Sequence, residues 1–372
     1  MKEEIKYDFN DILIKPNKQG LNSRKQVKPY YYDDMLPIMA APMDTVVSLE
    51  NAEIFLKHKI TPIIPRNYIN IDNFNLPFSD KTWFAYGLGE FDETFLNELE
   101  PFNIETKINI LIDVANGHMP GIYERVIKTK KMYGDKLVLM VGNIANPETY
   151  RLLSEAGADY IRISIGNGNS CLTSQQTGVG YPIASLIKEC YEISLELKKP
   201  AYIVADGGFK TYSDIIKGLA LGADFIMLGS ILNKALESSA PLYINRIDLS
   251  KYEPVNSPLS KLNEEVEYIQ IMDYQFDLMV EHYKKGILDL YKPFRGMSTK
   301  EVQKEWGKNN IRTSEGVNKF QKVEYTLEDW IENFIDYLCS AMSYTGDFSL
   351  TTFIGHPEII RISQNAYQRF NK

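Results

Sequence analysis

Cysteine is scarce in this chain: Cys171, Cys190 and Cys339 are the three among 372 residues. So few thiols, odd in number and far apart, exclude a disulfide framework and a cysteine-rich zinc site. Histidine is nearly as rare, and His58, His118, His282 and His356 lack a ligand spacing such as HExxH. Positive charge is not in excess either. The net charge of −8 argues against a general nucleic-acid partner, which needs clustered Lys and Arg, and leaves open a local pocket for one phosphate. No apolar run is long enough to span a bilayer and no secretory signal opens the chain, so a reducing, cytosolic setting without a membrane partner is expected.

What is present is ordinary globular composition, 44% hydrophobic and 24% charged, with enough length for a sizeable core. Apolar runs bounded by turn residues form a regular series. Strands are expected at Leu36–Met43, Thr61–Asn67, Thr82–Leu88, Ile108–Ala115, Lys136–Asn143, Tyr160–Ile165, Ala201–Asp206 and Asp224–Leu228. Most are continuously apolar, as strands buried on both faces should be. Amphipathic stretches such as Asn146–Ala156 and Tyr212–Leu221 lie between them, each followed by Gly-Ala-Asp and a strand. Eight such alternations predict an α/β fold, a closed (β/α)8 TIM barrel.

Polar and glycine residues gather after those strands: Asp44, Asn67, Asp113, Asn116, Asn143, Cys171, Asp206 and Gly229. In such a barrel that end carries the active site. Two segments break the alternation. Residues 232–292 read as an insertion whose later part, 264–291, has a helical period, and residues 294–325 read as a polar, glycine-containing mobile flap over the mouth. Thr326–Tyr344 reads as the closing helix. The whole chain, 1–372, is taken as one catalytic barrel.

The stretch richest in chemistry is Gly166-Asn167-Gly168-Asn169-Ser170-Cys171-Leu172-Thr173, followed by Thr177-Gly178-Val179-Gly180-Tyr181-Pro182. A loop with few Cβ groups lets backbone approach a ligand closely and presents Cys171 as a nucleophile. The plainer alternative is a buried cysteine acting as a small hydrophobe, which describes Cys190 and Cys339 in their amphipathic stretches.

Five motifs in order carry a resemblance. They are Tyr7-Asp8-Phe9-Asn10-Asp11-Ile12-Leu13, Pro37-Ile38-Met39-Ala40-Ala41-Pro42-Met43-Asp44, the cysteine loop, Asp206-Gly207-Gly208 and Phe294-Arg295-Gly296-Met297-Ser298. Together they resemble the IMP dehydrogenase/GMP reductase family along nearly the whole chain. The likeness is closer to the reductase members. Residues 69–81 leave no room for the paired regulatory (CBS) modules of the usual dehydrogenase, and the flap lacks its Arg-Tyr pair. Asn167, however, stands where the family has Pro, Ser174 where it has a basic residue, and Arg295 where reductases have Tyr. Pro65-Arg66-Asn67 leans towards the dehydrogenase pattern.

The resemblance implies NADPH-dependent reductive deamination of GMP to IMP and ammonia, with a covalent bond from Cys171 to the purine. Its alternatives are oxidation of IMP with NAD and a catalytically inactive nucleotide-binding relative. Cys171, Thr173 and Glu315 would be catalytic. Ser170, Asp206, Gly207, Gly208, Gly229, Ser230, Met297, Ser298, Arg312 and Gly316 would hold the nucleotide. Asp113, Asn116, Gly117, Arg66 and Asn67 would face the dinucleotide, with His118 as a cofactor-edge or solvent-facing neighbour. A monovalent cation such as K+ on backbone carbonyls of Gly166, Gly168 and Cys171, and a homotetramer, complete what the likeness implies.

Overall fold

A computed structural model describes residues 5–31, 33–66, 79–96, 107–168, 171–245, 267–296, 299 and 318–370. Each of the eight expected strands is present, seven of them shortened and β6 shifted by one residue. They are β2 (Ile38–Ala40), β3 (Thr61–Ile64), β4 (Trp83–Tyr86), β5 (Ile108–Asp113), β6 (Leu137–Ile144), β7 (Tyr160–Ile163), β8 (Tyr202–Asp206) and β9 (Phe225–Leu228). All pair in parallel with their neighbours, and β2 pairs with β9, so the (β/α)8 barrel closes. Closure leaves no edge and buries both faces of every strand, which is why the apolar runs are continuous. Before the barrel, β1 (Ile12–Ile14) pairs antiparallel with β14 (Ile359–Arg361) and ties the two ends of the chain together.

The core has two compartments. Met39, Ile63, Leu111, Met140, Val204 and Met227 fill the barrel, while a larger shell of Ile, Leu, Val and Phe lies between strands and helices. Aromatic rings stop the N-terminal end of the barrel. Tyr160 packs on Trp83, Tyr202 and Phe225 with centroids 4.8, 4.9 and 5.7 Å away, and Tyr31 stacks on Phe225 at 4.9 Å.

The helices follow their cap signals. Asn146 accepts from Glu148 N–H at 2.9 Å to start Pro147–Glu155, and Thr211 accepts from Asp214 N–H at 3.2 Å to start Tyr212–Leu221. The repeated Gly-Ala-Asp units after these helices do one job twice. Asp159 Oδ2 accepts from Leu139 N–H at 2.8 Å, and Asp224 Oδ2 accepts from Ile203 N–H at 2.7 Å. Each carboxylate thus caps the start of the preceding strand. Asp159 also takes Lys130 Nζ at 2.8 Å. Among the described residues Asp224 has no ion-pair partner, and burial pushes it up to about 7 against the lowering effect of its backbone hydrogen bonds.

The stretch after β9 departs from its expected form. The helical period over 264–291 resolves, among the described residues, into β11 (Tyr268–Gln270), a helix at Phe276–Lys284 and β12 starting at Leu290. A strand replaces helix at each end because Ile244, Ile269, Ile271, Leu288 and Leu290 form a separate apolar cluster under a sheet. In that sheet β11 and β12 (Leu290–Arg295) flank β10 (Tyr243–Asn245), and β13 (Asn318–Lys322) pairs with β12. Strand β12 crosses the boundary between residues 292 and 294, so insertion and flap stem share one sheet.

A buried polar web fastens this sheet to the barrel. Lys292 Nζ donates to Leu236 O and Ser238 O, both at 2.7 Å, to Ser238 Oγ at 2.8 Å and to Ala235 O at 3.2 Å. Asn233 donates to Thr45 O at 2.8 Å and to Pro293 O at 3.0 Å. The closing helix, Leu327–Thr345, has Thr326 as its N-cap and Gly346 in the left-handed region as its C-cap.

The raised Asp224 gives a signed pH dependence. Its protonated form is favoured in the fold, so that contribution is complete below the unfolded value near 3.8 and is lost as pH rises through about 7. Asp224→Asn keeps the acceptor and removes the titration. Its melting temperature relative to wild type is therefore expected to climb across that window and then level off. A constant difference from acid to neutral pH would mean that folding does not raise the Asp224 pKa.

Candidate functional site

The C-terminal end of the barrel opens into a cavity of about 850 Å³. Its wall contains Arg66, Asp113, Asn116, Gly166, Gly168, Cys171, Thr173, Asp206, Gly207, Gly208, Gly229 and Ser230. These twelve sequence-derived candidates come from five different strand ends and converge in one place. Gly117 does not line the cavity. It packs behind it, its N–H bonding Asn143 O at 2.8 Å, where a Cβ would stand 2.7 Å from Ile144 Cγ2. Asn67, Ser170, Met297, Ser298, Arg312, Glu315 and Gly316 lie outside the described residues.

The cysteine loop leaves β7 and leads into a short helix at Thr173–Thr177. Cys171 N–H donates to Gly168 O at 2.9 Å, and the thiol donates to Thr173 Oγ1 at 3.3 Å. Glycine is required where backbones meet. Gly207 and Gly208 both have positive φ, and a Cβ on Gly207 would lie 3.1 Å from Gly168 Cα and N. The Asp206-Gly207-Gly208 turn and the cysteine loop are thus pressed together without side chains between them. Cys190 and Cys339 are buried in their helices, where burial pushes both thiols up, which suits packing rather than reaction.

Electrostatically the mouth is organised by a chain of alternating charge. Arg66 Nε donates to Asp113 Oδ2 at 3.2 Å, and its Nη2 also donates to Asp113 O. Arg162 Nη1 donates to Asp113 Oδ1 at 2.8 Å, while its Nε donates to Asp206 Oδ2 at 3.1 Å. Asn143 Nδ2 completes the set on Asp206 Oδ2 at 2.9 Å. Burial alone would lower the Arg162 value; Asp206 and Asp113 outweigh it and raise it, keeping the guanidinium charged.

Arg162 was selected by no motif reading, and Asn143 was placed at the active end of its strand without a role. Arg162 was visible as the one charge inside the run Tyr160–Ile165, since a buried strand tolerates a cation only with partners. Asn143 owes its position to a bulge: β6 pairs Gly142 with Arg162 but Ile144 with Ile163. The extra residue is unpaired, and its side chain is turned onto Asp206. Nothing in the apolar pattern marks that irregularity.

His118 is half-buried and does not line the cavity. Its Nε2 accepts from Ala145 N–H at 3.0 Å, which leaves the ring proton on Nδ1 for Thr149 Oγ1 at 2.9 Å. Burial lowers its pKa, so it is a neutral strut between two loops. At the opposite rim, Arg295 at the end of β12 donates from Nε to Asp44 Oδ2 at 3.0 Å. This pair holds the flap stem against the end of β2, with Phe294 and Gly296 lining the cavity. Among the described residues, no three His, Cys, Asp or Glu side chains gather as a metal site, and no helix is long and apolar enough to cross a membrane.

The cavity thus has a thiol at its centre and bare glycine backbone on the β8–β9 side. On the far side, at the ends of β4 and β5, stand Asp113 and Asn116 with Gly87, Leu88 and Gly89. Glycine backbone on one side can offer N–H groups to an anionic end of a ligand, and Asp113 and Asn116 offer polar contacts on the other.

Likeness to known proteins agrees with this geometry. Residues 102–281 match the family model for the IMP dehydrogenase / GMP reductase domain. The chain is 27% identical to GMP reductase 2 of Homo sapiens over 385 residues, 99% of this chain and 98% of that protein. It is 26% identical to the GMP reductase of Caenorhabditis elegans over 390 residues, 98% of this chain and 94% of that protein. Against the GMP reductase of Buchnera aphidicola subsp. Schizaphis graminum (strain Sg) the identity is 31% over 246 residues, 62% of this chain and 69% of that protein. With a likeness of that extent, and a closed eight-stranded parallel barrel, the chain belongs to the IMP dehydrogenase / GMP reductase family.

Proposed function

We propose that the protein reduces GMP to IMP with release of ammonia, using NADPH and a transient bond between Cys171 Sγ and carbon 2 of the purine. The observation that carries this reading is the Cys171 thiol within 3.3 Å of Thr173 Oγ1, in a cavity flanked by glycine backbone and paired carboxylates. The named relatives, all GMP reductases, support the same choice.

In this reading Cys171 adds to carbon 2, the bond to the exocyclic nitrogen breaks, and the nitrogen leaves as ammonia after gaining a proton. Covalent attachment divides one difficult exchange into two easier steps. Thr173, beside the thiol, and Glu315, from the flap at residues 294–325, move that proton. When bound, the reduced nicotinamide supplies the hydride that restores carbon 2 as the carbon–sulfur bond breaks. The residues at the ends of β4 and β5 fit that group: Gly89 faces open space that leaves room for a flat ring, and Asp113 and Asn116 offer polar contacts. Asp206 is assigned to the ribose hydroxyls. Gly207, Gly208, Gly229, Ser230 and Ser170 are assigned to the phosphate, by backbone N–H groups and hydroxyls. Met297, Ser298, Arg312 and Gly316 are assigned to the base, and Arg66 and Asn67 to the dinucleotide. A K+ ion on the carbonyls of Gly166, Gly168 and Cys171 belongs to the same proposal; Gly168 O already accepts Cys171 N–H at 2.9 Å and has a second lone pair to give. The reading takes residues 1–372 as one catalytic unit assembled into a cytosolic homotetramer.

Arg295 and the Pro65-Arg66 pattern favour a second reading, oxidation of IMP to XMP with NAD. The two are separated by one assay. With GMP and NADPH, loss of reduced-nicotinamide absorbance accompanied by equimolar ammonia is expected; a gain of absorbance confined to IMP with NAD would replace the first reading by the second.

Two substitutions test the assigned roles. Cys171→Ala is expected to abolish turnover while retaining GMP binding by calorimetry, and retained turnover would remove the covalent step. Thr173→Val leaves the thiol in place but removes the relay hydroxyl, so kcat is expected to fall by roughly 10²–10⁴-fold, the usual scale for a positioned proton-transfer group. A kcat within about twofold of wild type would free Thr173 from that role.

A further inference from the structure

We propose that Asn167 is a positioning residue for Cys171, its side-chain amide anchoring the cysteine loop to the end of β7 and to the turn that follows the loop. The inference rests on the reading of Cys171 as the reacting thiol and adds a residue to that site.

The loop has little of its own to hold it in shape. Gly166 and Gly168 flank Asn167 without side chains, and Gly166 has positive φ. Cys171 is tied back by its N–H to Gly168 O at 2.9 Å, next to Asn167 in the chain. Asn167 supplies the anchorage. Its Nδ2 donates to Tyr181 O at 3.0 Å and to Ser164 Oγ at 3.2 Å, with Ile165 O at 3.4 Å as a third acceptor. An amide nitrogen has two protons, so three acceptors around it leave neither unused.

Both anchor points are themselves fixed. Ser164 is buried just beyond β7, and its N–H bonds Ile144 O at 2.8 Å on the neighbouring strand. Tyr181 donates its hydroxyl to Glu189 Oε2 at 2.6 Å, and Glu189 Oε1 pairs with Lys6 at 2.9 Å. Asn167 also sits against the Asp206-Gly207-Gly208 turn: a Cβ built on Gly208 would lie 3.4 Å from Asn167 Cβ. Any shift of Asn167 therefore moves the thiol relative to the turn assigned to the nucleotide. A displacement of about 1 Å at a reacting centre can cost ~10²-fold in rate.

The test uses full-length protein carrying Asn167→Asp, Asn167→Ala or Asn167→Gln. Asn167→Asp keeps the shape, removes both donors and sets a carboxylate against two carbonyl oxygens. Expected for Asn167→Asp is a kcat lowered between about tenfold and hundredfold, a KM for GMP close to wild type and a cooperative thermal unfolding curve that shows the protein folded at the assay temperature. The rate of Cys171 alkylation by iodoacetamide, followed by peptide mass spectrometry across neutral to alkaline pH, is expected to change with it. Asn167→Gln, which keeps the amide donors, should lie nearer wild type than either of the others. Wild-type kcat and a wild-type alkylation profile in folded Asn167→Asp or Asn167→Ala would overturn the proposal. Should Asn167→Asp fail to fold, the Asn167→Ala and Asn167→Gln pair decides the question by the same readouts. If wild type turns over neither nucleotide pair, the reductase reading falls, while the alkylation profile still reports whether Asn167 governs the thiol.

Discussion

Arg162 carries a positive charge into the centre of the barrel mouth, and the surrounding chain is arranged to tolerate it. Its guanidinium is shared between Asp113 on β5 and Asp206 on β8, so three strand ends are held in fixed relation by one side chain. Removing one partner of such a buried pair typically costs about 3–5 kcal/mol, because the other charge is left without compensation. The planar fork matters as much as the charge. It presents separate N–H groups to two carboxylates at once, which a lysine ammonium on a flexible stem does less well. Arg66 and Asn143 extend the set on either side, so the polar rim is one connected array.

This array explains how a smooth apolar barrel carries an irregular polar site. The strands below it are ruled by alternation and burial, and their packing gives a rigid base. At the rim the rule changes. A bulge at Asn143, paired positive-φ glycines at 207 and 208, and the close approach of Gly207 to Gly168 each break regular geometry at one spot. Such departures persist where the surrounding structure over-determines them, and here they adjoin the thiol.

The fold was legible because its signal is periodic and redundant. Eight apolar runs, each ended by turn residues, left one closed parallel architecture, and repeated Gly-Ala-Asp corners marked two of its turns. Site residues in glycine-rich loops were legible for a different reason, since a cysteine or an aspartate beside glycines has few structural uses. The partners of Arg162 and the role of Asn143 escaped because the residues concerned lie 44 to 63 positions apart, and only closure of the barrel brings them near. The contacts of His118 were hidden for the same reason: next to Asn116 in sequence, it braces Ala145 and Thr149. The helical period over 264–291 misled because strands β10 to β13 bury their apolar cluster through long-range pairing, which outweighs local pattern.

The aromatic stopper of Tyr31, Trp83, Tyr160, Tyr202 and Phe225 has a consequence for traffic through the molecule. With the lower end filled by rings, the cavity among the described residues opens at the C-terminal ends of the strands, and Cys171 faces that side. Which face of the molecule meets solvent at the thiol is thus fixed by rings stacked at the opposite end of the barrel.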